Sequence, residues 1–398
     1  TERAIVALDS RSGDVLWRRT IGELGLAELG KGRIVGQPVI DQRTVIATVV
    51  KDAERRRLHS IYAVAVDLVT GEPVWSRPLG SVGKLPYGNA LYNADLPTVD
   101  RGIMYRSDRI GFMIAIETVT GRVRWARRFD YRQRLRRYVP QSMWEMNKPV
   151  IRGEKIYTIN PERTLIHAID TRSGAVLEQH PSAPLGKPNY LLVADGVLIG
   201  VNAIDVYAAA LERLGEPEAY AKILTVAEPG IRGRVVVSGE RVVVPAVDGL
   251  YQADASALLV GEADAFEKIG LDRTGTVLPM DQELLVLDDQ RLHSYLLWES
   301  AREVLTARME ADPDDASNPV TFAELAYRAG RPDLVVEATD RALGAIERDP
   351  HASSNEMARA RLFDALLDMV DPPADAPADR ALSAEQKREL ISRLELTA

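Results

Sequence analysis

Residues 115–125 read AIETVTGRVRW, and the same order of residue types returns at three other places in the chain. Residues 7–17 read ALDSRSGDVLW, residues 65–75 read AVDLVTGEPVW, and residues 168–178 read AIDTRSGAVLE. Each copy has an acid four residues before a glycine, and a serine or threonine directly before that glycine. A tryptophan follows the glycine by four residues in three copies, and Glu178 takes its place in the fourth. Fixed positions that recur at a nearly constant period indicate a structural repeat.

Each copy of the repeat predicts a β-hairpin. The apolar residues before the acid form one strand, and the acid accepts hydrogen bonds from backbone N–H groups of the turn. The glycine supplies the positive φ that is needed where the turn enters the next strand, and the tryptophan lies on a buried face of that strand. The predicted structural residues are Asp9, Gly13, Trp17, Asp67, Gly71, Trp75, Glu117, Gly121, Trp125, Asp170 and Gly174.

Further strands precede each hairpin and make four strands per unit, which is typical of a propeller blade. Two weaker units follow at about 190–224 and 232–266, and a last set of strands falls within 276–296. We therefore predict an all-β propeller of six to eight four-stranded blades, with seven favoured, followed by a small α-helical domain. Residues 1–20 supply only the third and fourth strands of a blade, which leaves the blade count open. The first residue is Thr1 rather than Met and no signal peptide is present, so we expect the chain to be processed or a fragment of something longer.

The repeat resembles that of the pyrroloquinoline-quinone (PQQ)-like β-propellers. The resemblance implies that Trp17, Trp75 and Trp125 pack between neighbouring blades, whereas the junction at Glu178 packs differently. Some members of this family are outer-membrane assembly scaffolds and others are enzymes that use PQQ and Ca²⁺. The resemblance therefore makes a periplasmic or cell-envelope location an expectation.

The chemistry of a quinone enzyme finds little support in the residues. The family's enzymes usually carry a vicinal disulfide over the cofactor, and this chain has no cysteine. None of the five histidines has the spacing of a metal site, and no calcium-ligand or catalytic-base motif matches particular positions. We therefore predict no catalytic residue, no cofactor site and no metal site.

The residue period becomes helical near Trp298. Apolar stripes predict several amphipathic helices that end near Pro313, Gly330 and Pro350, and a capping box starts a last helix at Ser383. The turn at Gly330 resembles that of a tetratricopeptide hairpin. We predict a propeller over 1–297, a helical-hairpin domain over 298–371, and a proline-rich linker with a terminal helix over 372–398.

Charge is unevenly spread along the chain. The whole chain has a net charge of −8, and residues 298–398 hold 21 acidic and 12 basic side chains. That balance argues against nucleic-acid binding. No apolar run is long enough for a transmembrane segment.

Two arginine clusters fall in loops that the blade topology places on one face. One is 55–57, and the other runs from Arg127 and Arg128 through the arginines of 132–137, with aromatic residues among them. Such a surface suits an acidic protein partner, and the acidic C-terminal segment could itself dock there within the chain. The candidate partner-binding residues are Arg55, Arg56, Arg57, Arg132, Arg134, Arg136, Arg137, Tyr138 and Trp144.

The predicted function is a non-catalytic propeller scaffold that mediates protein–protein interaction through long loops on one face. Two alternatives stay open from the sequence. One is a PQQ- and calcium-dependent dehydrogenase, and the other is a ligand- or glycan-sensing propeller domain of a larger protein.

Overall fold

The computed structural model describes residues 4–9, 14–24, 32–53, 58–83, 96–108, 112–129, 147–259, 265–269, 271, 274–280, 283–288, 290–296, 298–372 and 382–397. The chain divides into two compact units. The first unit comprises Thr1–Val277 and Leu287–Arg291, and the second comprises Leu278–Val286 and Leu292–Ala398.

Consecutive antiparallel strands form the sheets of the chain, and each sheet keeps its strands in sequence order. A two-stranded sheet of β1 (Ala4–Leu8) and β2 (Val15–Thr20) comes first. Five four-stranded sheets follow: β3–β6 (Arg33–Asp41, Thr44–Ala53, Leu58–Asp67, Pro73–Gly83), β7–β10 (Thr98–Asp100, Ile103–Asp108, Phe112–Glu117, Val123–Arg128), β11–β14 (Val150–Arg152, Lys155–Ile159, Leu165–Asp170, Val176–Pro181), β15–β18 (Tyr190–Ala194, Val197–Val201, Asp205–Ala210, Tyr220–Thr225) and β19–β22 (Val236–Ser238, Arg241–Ala246, Gly249–Asp254, Glu267–Ile269). A three-stranded sheet of β23–β25 (Thr276–Pro279, Glu283–Leu287, Leu292–Leu296) comes last.

Four-stranded antiparallel sheets in chain order are the architecture of propeller blades, so the predicted fold class is confirmed. The number of blades stays a prediction. Among the described residues, short 3₁₀ helices lie at Ala183–Leu185, Leu211–Arg213, Pro217–Ala219 and Ala255–Leu259.

The core of the sheets lies on their middle strands. Strand β16 is buried at every position, and four consecutive residues are buried in β9 and in β13. Continuous apolar runs of this length are typical of strands that are covered on both faces. The fourth strands are more exposed, and in β10 only Trp125 is buried. The tryptophan is therefore the main apolar anchor of that outer strand.

Five α-helices form the core of the second unit: α1 (Trp298–Ala311), α2 (Ser317–Arg328), α3 (Pro332–Arg348), α4 (Ser353–Val370) and α5 (Ala384–Thr397). The α2–α3 turn closes at Gly330, whose φ is +66°, and Pro332 begins α3. The predicted capping box of α5 is confirmed, because Ser383 N–H donates to Gln386 Oε1 (2.9 Å) and Gln386 N–H donates to Ser383 Oγ (3.2 Å). No described helix has the length and apolar character that would let it cross a membrane.

Asn355 ties two connections of the helical unit together. Its side chain is 1% exposed, and its Oδ1 accepts a hydrogen bond from Ala316 N–H at 2.9 Å. Its Nδ2 donates to Asp314 O (3.1 Å) and to Asp349 O (2.9 Å). One buried amide thus satisfies backbone groups of the α1–α2 connection and of the α3–α4 connection.

We expect Asn355→Ala to lower the free energy of unfolding of the helical unit by about 3 kcal/mol, because it leaves the buried Ala316 N–H and two partly buried carbonyl groups without this partner. Urea unfolding followed by the circular dichroism of the helices measures this change. Ser353→Ala, at the exposed start of the same helix, is the matched control and should change stability little. Equal unfolding midpoints for the two variants would contradict the role assigned to Asn355.

Candidate functional site

The turns of the repeat share one geometry in the residues that the structure describes. Gly71 N–H donates to Asp67 O, Gly121 N–H to Glu117 O, and Gly174 N–H to Asp170 O, at 2.8–2.9 Å. The three glycines have φ values of +68°, +67° and +70°. Their lack of a side chain is therefore needed for the backbone conformation of the turn. In the first copy, Asp9 N–H donates to Asp14 O at 2.8 Å, and Gly13 lies outside the described residues.

The acid of each turn is held in its charged form. Asp67 Oδ1 accepts hydrogen bonds from the N–H groups of Val69 (2.9 Å) and Thr70 (2.8 Å). The bond from Thr70, followed by that from Arg43, lowers the pKa of Asp67 to about 2. Asp170 likewise accepts bonds from the Ser173 hydroxyl and backbone, which lower its pKa.

The pKa of Glu117 is also lowered, but by side chains rather than by backbone N–H groups. Arg122, followed by the Thr120 hydroxyl, lowers the pKa of Glu117 to about 2, and both groups lie 2.6 Å from its carboxylate. The glutamate, whose side chain is longer than that of aspartate, thus accepts its hydrogen bonds from side chains of the same turn.

Each tryptophan packs on the turn of the following sheet. A Cβ atom on Gly71 would lie 2.6 Å from the Trp17 ring, and the same distance relates Gly121 to Trp75 and Gly174 to Trp125. The indole N–H then donates to the carbonyl oxygen of the residue after the acid. These bonds run from Trp17 to Leu68, from Trp75 to Thr118 and from Trp125 to Thr171, each at 2.9 Å.

An arginine two residues after each tryptophan completes the junction. The guanidinium groups of Arg19, Arg77 and Arg127 donate to the carbonyl oxygens of Gly71, Gly121 and Gly174, respectively, each at 3.1 Å. Arg127, which the sequence places in an arginine run, thus also donates a hydrogen bond within the junction. The Trp-x-Arg pattern was present in three copies of the repeat and was the signal that could have identified these arginines.

The fourth junction is polar. Glu178 stands where the other copies have tryptophan, and it accepts hydrogen bonds from Lys155 Nζ (2.5 Å) and His180 Nε2 (3.1 Å). His180 stands in the place of the arginine, and a Cβ on Gly215 of the next sheet would lie 3.3 Å from its Nδ1. Glu178 is thus bonded within its own sheet, and His180 is the side chain of this copy that lies near the next sheet.

The predicted partner-binding residues all lie outside the described residues. These are Arg55, Arg56, Arg57, Arg132, Arg134, Arg136, Arg137, Tyr138 and Trp144. Among the residues that are described, no group of three or more His, Cys, Asp or Glu side chains could hold a metal ion.

His167 is a buried group that the sequence did not single out. It lies on β13, is 4% exposed, and stacks on Phe129 with the ring centroids 4.8 Å apart. Its Nδ1 has no hydrogen-bond partner among the described residues. Burial, followed by the positive charge of Arg127, lowers the pKa of His167 from 6.5 to about 4.

Comparison with known proteins identifies the repeat. Residues 1–127 match a family model described as outer membrane protein assembly factor BamB, of the PQQ-like repeat type. Together with the repeat motif, this match identifies PQQ-like repeats in 1–127, and the four-stranded sheets of the described residues are those of a β-propeller. The predicted family resemblance is confirmed at that level.

Individual relatives are distant. A tetrathionate hydrolase of Acidithiobacillus ferrooxidans is 26% identical over 125 residues, which are 30% of this chain, and the match spans 23% of that protein's length. BamB from Moraxella catarrhalis is 15% identical with a TM-score of 0.49, over 74% of this chain and 80% of that chain. A europium-containing methanol dehydrogenase is 14% identical with a TM-score of 0.44, over 72% of this chain and 70% of that chain.

We expect Gly174→Ala to destabilise the propeller unit more than Gly153→Ala. Both glycines have a positive φ, +70° and +60°, so alanine at either position costs about 1 kcal/mol. A Cβ at Gly153 meets open space, whereas a Cβ at Gly174 would overlap the Trp125 ring and cost about 1–3 kcal/mol more. Urea unfolding monitored by tryptophan fluorescence measures the difference, and equal losses in the two variants would contradict the junction described above.

We expect the buried His167 to make stability depend on pH. Because its folded pKa is depressed, the unfolded chain binds the proton more tightly, and stability falls as pH falls from the unfolded pKa of 6.5 towards about 4. The loss between about pH 7.5 and about pH 5 is on the order of 2 kcal/mol. Urea midpoints at the two pH values measure it for the wild type and for His167→Gln.

The glutamine variant should lose most of this dependence. Asp67 and Glu117 contribute little in the same window, because their carboxyl groups titrate at lower pH in both states. An unchanged pH dependence in His167→Gln would show that other groups cause it.

Proposed function

We propose that this chain is a non-catalytic scaffold of the cell envelope, which binds another protein through the loops on one face of its propeller unit. The observation that carries the proposal is the anchoring of its long connections. The segments between β2 and β3 and between β10 and β11 leave and re-enter the sheets at buried residues, and the segment between β6 and β7 re-enters at the buried Leu96.

The first and third connections start at apolar anchors. Ile21 and Leu24 follow β2 directly and are only 4% and 2% exposed, and Phe129 follows β10 and is 6% exposed. The start of the first connection is also closed by Glu23, whose carboxylate accepts hydrogen bonds from the backbone N–H (2.7 Å) and hydroxyl (2.8 Å) of Thr20. Fixed ends limit the conformations that the connecting chain can adopt.

The second and third connections are joined where they return. Leu96 N–H donates to Asn147 O at 2.9 Å, and the Thr98 hydroxyl donates to Pro149 O at 2.5 Å. Asn147 is 5% exposed, and its Nδ2 donates to Thr158 Oγ1 at 3.1 Å. The two connections thus re-enter the sheets as neighbours.

The strand order supports assigning the candidate arginines to that same edge. In a four-stranded antiparallel sheet, the connection from the second to the third strand and the connection to the next sheet leave at one end of the strands. The β4–β5 connection carries Arg55, Arg56 and Arg57, and the β10–β11 connection carries the arginines of 132–137. An arginine-rich surface with tyrosine and tryptophan is suited to an acidic protein partner.

The family model supports both the role and the location. Its description names an outer membrane protein assembly factor, and it matches 1–127, which include the first two of these connections. The stiff Trp–Gly–Arg junctions fit a scaffold, since they hold successive sheets in register while their connecting loops stay available for binding.

The test places a photoreactive amino acid at Tyr138 or Trp144 in cells. We expect discrete cross-linked partners from both positions. Arg101 and Arg152, which lie in turns between first and second strands at the opposite edge, serve as control positions and should give no such adducts.

A charge-reversal pair then tests the acidic character of the partner. Changing Arg132, Arg134, Arg136 and Arg137 together to Glu should weaken binding at least about tenfold, because charged rims govern association with charged partners. The matched control changes Arg43, Arg101, Arg152 and Arg241 to Glu, all at the opposite edge. Equal effects of the two sets, or adducts from both edges, would overturn the proposal.

A further inference from the structure

A cavity of about 300 Å³ lies in the helical unit, between the α1–α2 connection and helix α3. Asp312 and Asp315 line it from the connection, and Gly344 and Arg348 line it from α3. All of these residues belong to the second compact unit. The volume is at the lower end of the range for ligand pockets, so it suits one long side chain rather than a large ligand.

The cavity has an apolar interior and a charged rim. Met309 of α1 and Pro319 of α2 are buried residues that line it. Asp312, Pro313 and Arg341 line it as well and are exposed to water. This combination fits a side chain that has an apolar stem and a charged end.

Helix α3 contains a glycine that the helix itself does not require. Gly344 lies four residues before the end of α3, and its φ is not positive. Apart from the backbone of its own helix, the nearest atom to a Cβ on Gly344 would be Arg348 Nη1, at the ordinary contact distance of 3.5 Å. Because glycine destabilises a helix interior relative to alanine, neither conformation nor packing explains it here. Its missing side chain instead leaves the backbone of α3 open to the cavity.

The two walls of the cavity are held in place by the protein. Arg348 Nε donates to Asp314 Oδ1 at 2.7 Å and its Nη2 donates to Pro313 O at 2.5 Å, which ties the connection to α3. The buried Asn355 holds the same connection from α4. Walls that are fixed in this way lose little conformational freedom when a ligand binds, which favours binding.

The other charged groups of α3 at the cavity are also paired within the protein. Arg341 Nη2 donates to Glu337 Oε1 at 2.9 Å. Asp340 accepts two hydrogen bonds from the guanidinium of Arg393 on α5, at 2.6 and 2.8 Å. Helix α3 therefore presents no charge that needs a ligand for its neutralisation.

The α1–α2 connection, in contrast, presents two carboxylates without a cation. Asp315 accepts hydrogen bonds from Ser317 N–H at 3.0 Å and from Asn318 Nδ2 at 3.2 Å, and both donors are neutral. No cationic side chain in the described part of the chain forms an ion pair with Asp312 or Asp315. This wall of the cavity is therefore negative and attracts a cation.

We propose that this cavity binds the side chain of an arginine or lysine that is carried by an extended peptide segment of a partner protein. The methylene groups of that side chain pack on Met309 and Pro319, and its charged end reaches Asp312 and Asp315. Gly344 allows the backbone of the peptide to approach α3 closely. The site lies in the helical unit and does not rest on the loop surface proposed above.

The test selects peptides from a random heptapeptide library on the full chain and measures their affinity by fluorescence anisotropy. We expect the enriched peptides to share an arginine or lysine at one position, beside apolar residues. Asp312→Asn combined with Asp315→Asn should weaken binding at least about tenfold, because it removes both charges. Asp364→Asn combined with Asp368→Asn makes the same charge change on the exposed face of α4 and should leave the affinity unchanged.

Gly344→Ala should change stability and binding in opposite directions. Alanine should raise the urea midpoint of the helical unit, since it favours the helix. Its methyl group should narrow the cavity and weaken peptide binding at least about threefold. Gly344→Leu should abolish binding, whereas Ala360→Leu, which adds a leucine on the exposed face of α4, should preserve it. A glycine with only a structural role would give a lower midpoint in Gly344→Ala.

Three results would overturn the proposal. The first is a selection that enriches no basic residue, and the second is equal affinity of the peptides for the wild type and for Gly344→Leu. The third is a synthetic peptide of residues 127–138 of this chain that binds the cavity as tightly as the selected peptides, because the occupant would then be a second copy. The peptide assay does not use the loop cross-links, so either proposal can fail without the other.

Discussion

The contact between an indole ring and a glycine of the next sheet is the constraint on which the described repeats depend. The glycine is needed twice, because its φ is positive and because the ring occupies the space that a Cβ would fill. The indole N–H and the following arginine then satisfy two carbonyl groups of the same turn. The residues of the motif thus stabilise their own hairpin and also bind the hairpin of the neighbouring sheet. Because both sets of contacts need the same residues, these residues recur together.

The junction at Glu178 shows what happens when one part of the motif changes. Without tryptophan, Glu178 pairs with Lys155 and His180 of its own sheet, and His180 lies near Gly215 of the next sheet. Beyond this point the hairpins lose their repeat signature, but the middle strands stay buried, and β16 is buried throughout. The core of each sheet therefore does not depend on which residues form the contact to the next sheet. Burial of the middle strands needs apolar residues along the strand but no particular residue at one position.

The sequence was sufficient for features that depend on local order. The hairpin turns follow from the spacing of the acid and the glycine, as in Asp170 and Gly174, and the capping box at Ser383 follows from residues three positions apart. Features that depend on contacts between distant segments could not be predicted in this way. Arg127 belongs to a charge run in the sequence, and only the structure shows that its guanidinium reaches a carbonyl 47 residues further on. Asn355 and His167 are similar cases, because their partners lie on other elements.

The position of the junctions within each sheet has a consequence for the rest of the propeller unit. Tryptophan and arginine lie on the fourth strand, and the glycine lies in the turn before it. The contacts between neighbouring sheets that this motif makes are therefore made at the outer strands. The innermost strands contribute less to these contacts and are freer to carry polar residues.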